Sequence, residues 1–255
     1  AEAESVSNIV QVEPATPPNS PVGPRTLVNT ALAGVVGGML AVGGVFLIEA
    51  LDDTVKDPEH VEQLLDLPLL GMLPKHEPEE NQILAIEQPR HPAVEAFRVL
   101  RTNIKYSSVD HPIHKILITS AGPGVGKTSV ASNLAAVLAQ GGSSVVLIDG
   151  DLRKPKMHQR FGAANHQGLS DIFLQEDQSL DGFIQHDNAV ENLSVITSGK
   201  IPPNPAELLG SEKMHSILGE LEKEYDYILL DSPPLMAVTD AAILSHAVDG
   251  VLVVA

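Results

Sequence analysis

A short apolar run, a glycine-rich loop and a stretch of small and apolar residues follow one another between Ile116 and Leu138. This succession constrains the chain more than any other feature. Ile116-Leu117-Ile118-Thr119 has the length and β-branching of a buried strand, and Ser129–Leu138 reads as a helix. Between them stands Ala121-Gly122-Pro123-Gly124-Val125-Gly126-Lys127-Thr128, the phosphate-binding loop pattern with Ala where the pattern has its first Gly. Glycines let backbone N–H groups turn inward onto phosphate oxygens, and the helix N-terminus adds partial positive charge. The candidate nucleotide-binding residues are therefore Gly122, Pro123, Gly124, Val125, Gly126, Lys127, Thr128 and Ser129. Lys127 is placed to reach the β- and γ-phosphates of ATP, and Thr128 to bind Mg²⁺. A dinucleotide fingerprint fits less well, because Lys-Thr follows the last glycine. A glycine-rich turn with an incidental lysine lacks this strand–loop–helix setting.

From Lys115 onward the chain alternates strand and helix. Val145–Ile148, Leu193–Ile196, Tyr227–Leu230 and Val251–Val254 read as further strands, and Pro205–Glu224 and Asp240–Ala247 as helices between them. Near-continuous apolar strands separated by helices predict an α/β fold of the P-loop NTPase kind, its mostly parallel sheet covered by helices on both faces.

Acidic residues stand where two of these strands end. Val145–Ile148 runs into Asp149-Gly150-Asp151-Leu152-Arg153, whose carboxylates at i and i+2 share one side of an extended segment. Beside a phosphate loop such a pair holds Mg²⁺ or accepts a proton from an incoming hydroxyl; a solvated acidic turn is the plainer reading. Tyr227–Leu230 runs into Asp231-Ser232-Pro233-Pro234, a carboxylate after an apolar strand, the Walker B arrangement that touches Mg²⁺ directly or through water.

The N-terminal part has a different character. Pro14, Pro17, Pro18, Pro21 and Pro24 make a stiff extended connector over residues 1–24. Leu27–Ile48 then runs 22 residues without a charge. A helix of that length spans roughly 33 Å, the thickness of a bilayer core, so residues 25–49 are assigned to a transmembrane helix rather than a buried core helix. Gly34 and Gly38, and Ala33, Gly37 and Ala41, offer small-residue faces. Arg25 and Lys56 tie under the positive-inside rule, so the cytosolic location of ATP sets the orientation: residues 1–24 outside, 49 onward inside. Residues 50–92 form a juxtamembrane segment and linker: a short helix opened by Asp57-Pro58-Glu59, at best an edge strand at Leu67–Leu73, and a polar linker from Lys75 to Arg90. Pro92 then opens a helix with Val94, Phe97, Leu100 and Ile104 inward, and residues 93–255 make the catalytic domain.

Composition closes off several functions. With 16 Lys+Arg against 33 Asp+Glu the net charge is −17, unsuited to a nucleic-acid backbone partner. The absence of cysteine excludes a disulfide scaffold, a Cys-ligated zinc and a thiol nucleophile.

The loop and the three acidic positions together resemble the bacterial tyrosine kinases, whose second aspartate motif has the form four aliphatics, then Asp-x-Asp-x-Arg; here it is Val145 to Arg153. The Glu-x-x-Arg-x-x-Arg motif stands at Glu95, Arg98 and Arg101, and Pro202–Leu209 is similar to another phrase of that family. The proline-rich connector, apolar helix and acidic segment resemble the second transmembrane region of polysaccharide co-polymerases, which in this group are fused to the kinase. The resemblance implies that Lys127, Asp149, Asp151 and Arg153 are catalytic, that Thr128, Asp149, Asp151 and Asp231 hold Mg²⁺, and that Glu95, Arg98 and Arg101 support homo-oligomers. Which of Asp149 and Asp151 serves as base stays open. It also implies ATP and protein tyrosines, its own included, as substrates, a plasma-membrane location with the kinase domain cytoplasmic, and the machinery that polymerises or exports a surface polysaccharide as partner. A membrane-anchored ATPase switch and a chain-length scaffold without kinase activity are the competing functions. The septum-positioning ATPases carry a lysine early in the loop, and Gly122-Pro123-Gly124 lacks it.

The chain begins with Ala1, and its last residues read as a strand with no terminating turn, so it is expected to be a piece of a longer polypeptide. Its tyrosines, Tyr106, Tyr225 and Tyr227, do not form the C-terminal cluster that the family phosphorylates in itself, which is expected beyond residue 255.

Overall fold

A computed structural model describes residues 23–51, 62, 66–74, 82–107, 112–175 and 179–255. They fall into two units, residues 1–67 and 68–255.

The first unit holds helix α1 (Thr26–Ala50), with no buried residue. Leu27, Met39, Phe46 and Ile48 are all exposed. A 25-residue helix that is apolar all round matches the length of a bilayer core, and its exposed apolar side chains have no polar face to turn to water. The expected helix opened by Asp57-Pro58-Glu59 lies, save Glu62, outside the described residues.

The second unit contains α2 (Leu84–Glu87), α3 (Pro92–Ser107), β1 (Lys115–Ser120), α4 (Lys127–Gln140), β2 (Val145–Asp149), α5 (Met157–Phe161), α6 (Leu169–Ile172), β3 (Gln185–His186), β4 (Leu193–Ile196), α7 (Pro205–Leu209), α8 (Glu212–Leu221), β5 (Tyr227–Asp231), α9 (Asp240–Ser245) and β6 (Gly250–Val254). One sheet runs β3-β4-β2-β5-β1-β6. Its ladders are parallel except the β3–β4 pair. Successive strand residues face opposite ways, so Ile116 and Ile118 pack with α3 and α4 while Leu117 packs with α6, α8 and α9. The sheet is thus covered on both faces, as its unbroken apolar strands require.

Several expectations need correction. The stretch taken as a linker from Lys75 to Arg90 contains α2, and Ile83, Leu84 and Ala85 are buried against the core. Ala85 N–H donates to Asn133 Oδ1 at 2.8 Å, and Gln140 Nε2 donates to Ala85 O at 2.8 Å. Its charged flanks mask an apolar patch too short to show a period. Residues 67–73 form no strand, because Pro68 and Gly71 interrupt any ladder. The single helix expected over Pro205–Glu224 is two, α7 and α8. Gly210 ends the first, and the Ser211 hydroxyl caps the second by accepting from Met214 N–H. Strand β3, two residues long, carries no sequence signal at all.

Candidate active site

The loop between β1 and α4 follows from local chemistry. Gly124 and Gly126 adopt φ +83° and +91°, a region that disfavours side chains, and Gly126 caps α4. No atom lies within 4 Å of where a Cβ would stand on Gly122, Gly124 or Gly126, so no neighbouring group packs against the loop at these positions. Ser120 Oγ donates to Gly122 O at 2.6 Å and fixes the entry to the turn.

The segment after β5 is laced to this loop. Ser232 N–H donates to Ile118 O at 3.1 Å, Leu235 N–H to Ser120 O at 2.8 Å and Thr119 Oγ1 to Pro233 O at 3.1 Å. The lacing delivers Asp231 to the start of α4. Asp231 is 2% exposed, and its carboxylate lies beside the Thr128 side chain and in the field of Lys127. Burial pushes its pKa up to about 7, with Thr128 and Lys127 pulling the other way. Asp149 stands opposite Asp231 in the β2–β5 ladder and is fully buried. Burial first, and the Asp231 charge second, hold its carboxyl well above the usual range, against a stabilising bond from Met157 N–H at 3.2 Å.

Asp151 lies in electrostatic reach of both carboxylates. Its Oδ1 accepts from the N–H groups of Arg153 at 3.2 Å and Lys154 at 3.0 Å. Lys127, Thr128, Asp149, Asp151 and Asp231 therefore converge, as the motifs predict. Arg153 does not join them through its guanidinium, which forks onto Asp240 from Nε at 2.8 Å and Nη2 at 2.9 Å.

Glu95, Arg98 and Arg101 lie on α3, away from the loop. Arg98 pairs with Glu95 and donates to Pro89 O at 2.9 Å. Arg101 donates to Val137 O at 2.9 Å, joining Gly141 N–H on a carbonyl of the last turn of α4, about 15 Å along that helix from Lys127.

Three residues of the site escape sequence reasoning. Asn133 ties the first turn of α4 to α2 through Ser129 O and Ala85 N–H. Arg160 donates to Gln82 O at 3.1 Å; burial lowers its pKa while the Asp231 charge raises it. Asp240 holds Arg153. Each is an ordinary polar residue in the sequence, and only Asp240, a first-turn helical acid, had any local signal.

The donor set suits a hydrated, oxygen-loving cation beside a phosphate. Asp231 Oδ1 is buried with no hydrogen-bond partner among the described residues, next to the Thr128 side chain and the phosphate loop. Such an orphaned oxygen fits Mg²⁺ shared with nucleotide oxygens. Among the described residues no group of three or more acidic or histidine side chains forms a cage for a metal on its own.

Fold and site together define a P-loop nucleotide-binding protein of the parallel α/β class. A family model described as an AAA domain matches residues 113–255. The tyrosine-protein kinase YwqD of Bacillus subtilis is 43% identical over 175 residues, 69% of this chain and 73% of that protein. A Klebsiella pneumoniae relative, described as a tyrosine-protein kinase in the cps region, is 34% identical over 271 residues, all of this chain but 37% of its own length. The solved kinase domain of Escherichia coli tyrosine kinase ETK superposes with a TM-score of 0.72 at 36% identity, covering 79% of this chain and 82% of that one. The chain belongs to the bacterial tyrosine-kinase family, and it spans little more than a third of the length of its longer relatives.

Proposed function

We propose that this chain is the anchor and catalytic part of an ATP-dependent protein-tyrosine kinase that phosphorylates itself and regulates the making or export of a surface polysaccharide. The observation that carries the reading is the convergence of Lys127, Thr128 and buried Asp231 on one loop, with the Asp149–Arg153 motif beside it. The family resemblance supplies the polysaccharide link, and the cps-region relative supports it.

The loop N–H groups and Lys127 bind the β- and γ-phosphates and offset the charge that develops as the phosphoryl group moves. Thr128 and Asp231, with one of Asp149 and Asp151, would hold Mg²⁺, which when bound neutralises phosphate charge. The other aspartate accepts the tyrosine hydroxyl proton. Asp151 suits this role better, because Asp149 is buried and both its oxygens are engaged by backbone N–H groups at 3.3 and 3.2 Å. Of the chain's tyrosines Tyr106 is exposed, whereas Tyr225 donates to Ser194 Oγ at 3.0 Å and burial raises the Tyr227 pKa, so these last two are poor acceptors. The α1 helix anchors the protein in the plasma membrane with the catalytic domain in the cytoplasm, and Glu95 and Arg98 face a second copy in a homo-oligomer.

The test is incubation of the full-length protein with labelled ATP and Mg²⁺, followed by detection of phosphotyrosine. Labelling that depends on Lys127 is expected. Labelling that survives Lys127→Met excludes this loop as the catalyst, and phosphate release without phosphotyrosine favours an ATPase switch.

A further inference from the structure

Asp240 opens α9 and is fully buried. An acid in the first turn of a helix ordinarily faces solvent, where it meets the helix dipole at little cost. Here both carboxylate oxygens are taken by one partner, Arg153, in a fork of 2.8 and 2.9 Å that joins residues 87 positions apart. Planar, two-pronged pairing fixes direction as well as distance, which a lysine cannot do. Moving the guanidinium away would leave the Asp240 carboxylate buried and uncompensated, so Arg153 has one strongly preferred place.

That place matters because of what Arg153 is bonded to. Its own N–H donates to Asp151 Oδ1 at 3.2 Å, joined there by Lys154 N–H at 3.0 Å. On the other side of Asp151, Gly150 N–H donates to Asp231 O at 2.8 Å. The turn carrying Asp151 is thus pinned at two points, to β5 through Gly150 and to α9 through Arg153. A shift of the Arg153 backbone moves the Asp151 carboxylate with it, since the two share a hydrogen bond.

We infer that Asp240 is a positioning residue of the phosphotransfer site, acting through Arg153 to hold Asp151 in line with the phosphate loop. This rests on the kinase reading above. Arg153 then serves the reaction through its pair with Asp240 and not by touching phosphate. Misplacing a reacting group by an ångström costs about 10²-fold, so the effect falls on the chemical step and leaves nucleotide binding to the loop.

The experiment is a double-mutant cycle on the full-length protein. Asp240→Asn keeps the shape but removes the charge; Arg153→Lys keeps the charge but removes the fork. Each variant and the double variant are assayed for kcat and KM of phosphotransfer, for affinity toward a fluorescent ADP with Mg²⁺, and for Tm. Each single change is expected to lower kcat by about 10- to 100-fold, with KM and nucleotide affinity within about threefold of wild type. The double variant should lose no more than the worse single one, the mark of residues acting as a unit. Wild-type kcat in Asp240→Asn, multiplying losses in the double variant, or a loss residing wholly in nucleotide affinity overturns the inference. If Asp240→Asn does not fold, Arg153→Lys decides alone: lowered kcat at unchanged Tm supports it, and unchanged kcat overturns it. Wild-type protein that makes no phosphotyrosine instead rejects the kinase reading, and the same cycle is then read on phosphate release.

Discussion

Asp149 and Asp231 stand directly opposite one another in the β2–β5 ladder, both buried, at the edge of the phosphate loop. Burial is the main cause that makes each costly to ionise; the Asp231 charge adds to it at Asp149, and Asp151 adds to it at both. The fold therefore places two carboxylates where ionisation is disfavoured.

The first prediction concerns pH. A carboxyl whose folded pKa is raised contributes stability below its unfolded value, near 3.8, and loses it as pH rises through the folded value, about 7 for Asp231. The Tm of nucleotide-free, metal-free protein should fall as pH rises from about 4 to about 7 and level off above that. Asp231→Asn, uncharged throughout, should flatten that fall, while Mg²⁺ with nucleotide should oppose it in the wild type alone. Thermal melts across this range check it, and an unchanged slope in the variant would falsify the assignment.

Lys127→Met should lower phosphotransfer by at least about 10²-fold, the loss of one preorganised charge at the reacting group. Lys127 is only half-buried and no neighbouring group packs against its loop glycines, so stability should change by no more than about 0.5 kcal/mol. Kinase assays paired with melts separate the two effects.

Gly150→Ala should cost about 1–3 kcal/mol, because its Cβ would stand 2.8 Å from Asp231 O and 3.4 Å from Leu244 Cδ1. The backbone oxygen cannot step aside without moving β5. Denaturant unfolding measures the loss, and a variant as stable as wild type disproves the close approach.

Gly219→Ala tests the opposite case. Gly219 lies within α8 and its Cβ would meet nothing within 4 Å. The change should stabilise the protein by about 0.5–1 kcal/mol through a stiffer unfolded chain, with activity retained. A lower unfolding midpoint would contradict the helix assignment.

Deleting residues 26–50 should release the protein from the membrane. With no buried residue on α1, its removal takes nothing from the core, so the soluble fraction should keep the wild-type fold. Sedimentation after membrane preparation reads this, and continued pelleting points to another anchor.

The phosphate loop, the strand-end aspartates and most of the parallel sheet were legible in the residues because each is a local pattern. Val145–Ile148 and Tyr227–Leu230 read as strands, since a sheet covered on both faces demands unbroken apolar runs, and the carboxylate after each marks the carboxyl ends of the strands, where ligands bind in such sheets. The register that sets Asp149 against Asp231 was not legible, nor was the burial of Leu84 and Ala85, because both depend on partners about fifty to eighty residues away. Nor did the sequence separate the helix break at Gly210-Ser211 from an interior glycine.

By itself the sequence determined the chemistry available: a loop that binds phosphate, acids at strand ends, and an apolar helix of bilayer length. Those follow from short-range rules of spacing and side-chain type. Tertiary structure alone decided which groups act together. It buried Asp231 beside Thr128, turned Arg153 onto Asp240 and spent Arg101 on the end of α4. The reason is physical: a charge's role depends on its solvation and its partners, and both are set by residues far away in the chain.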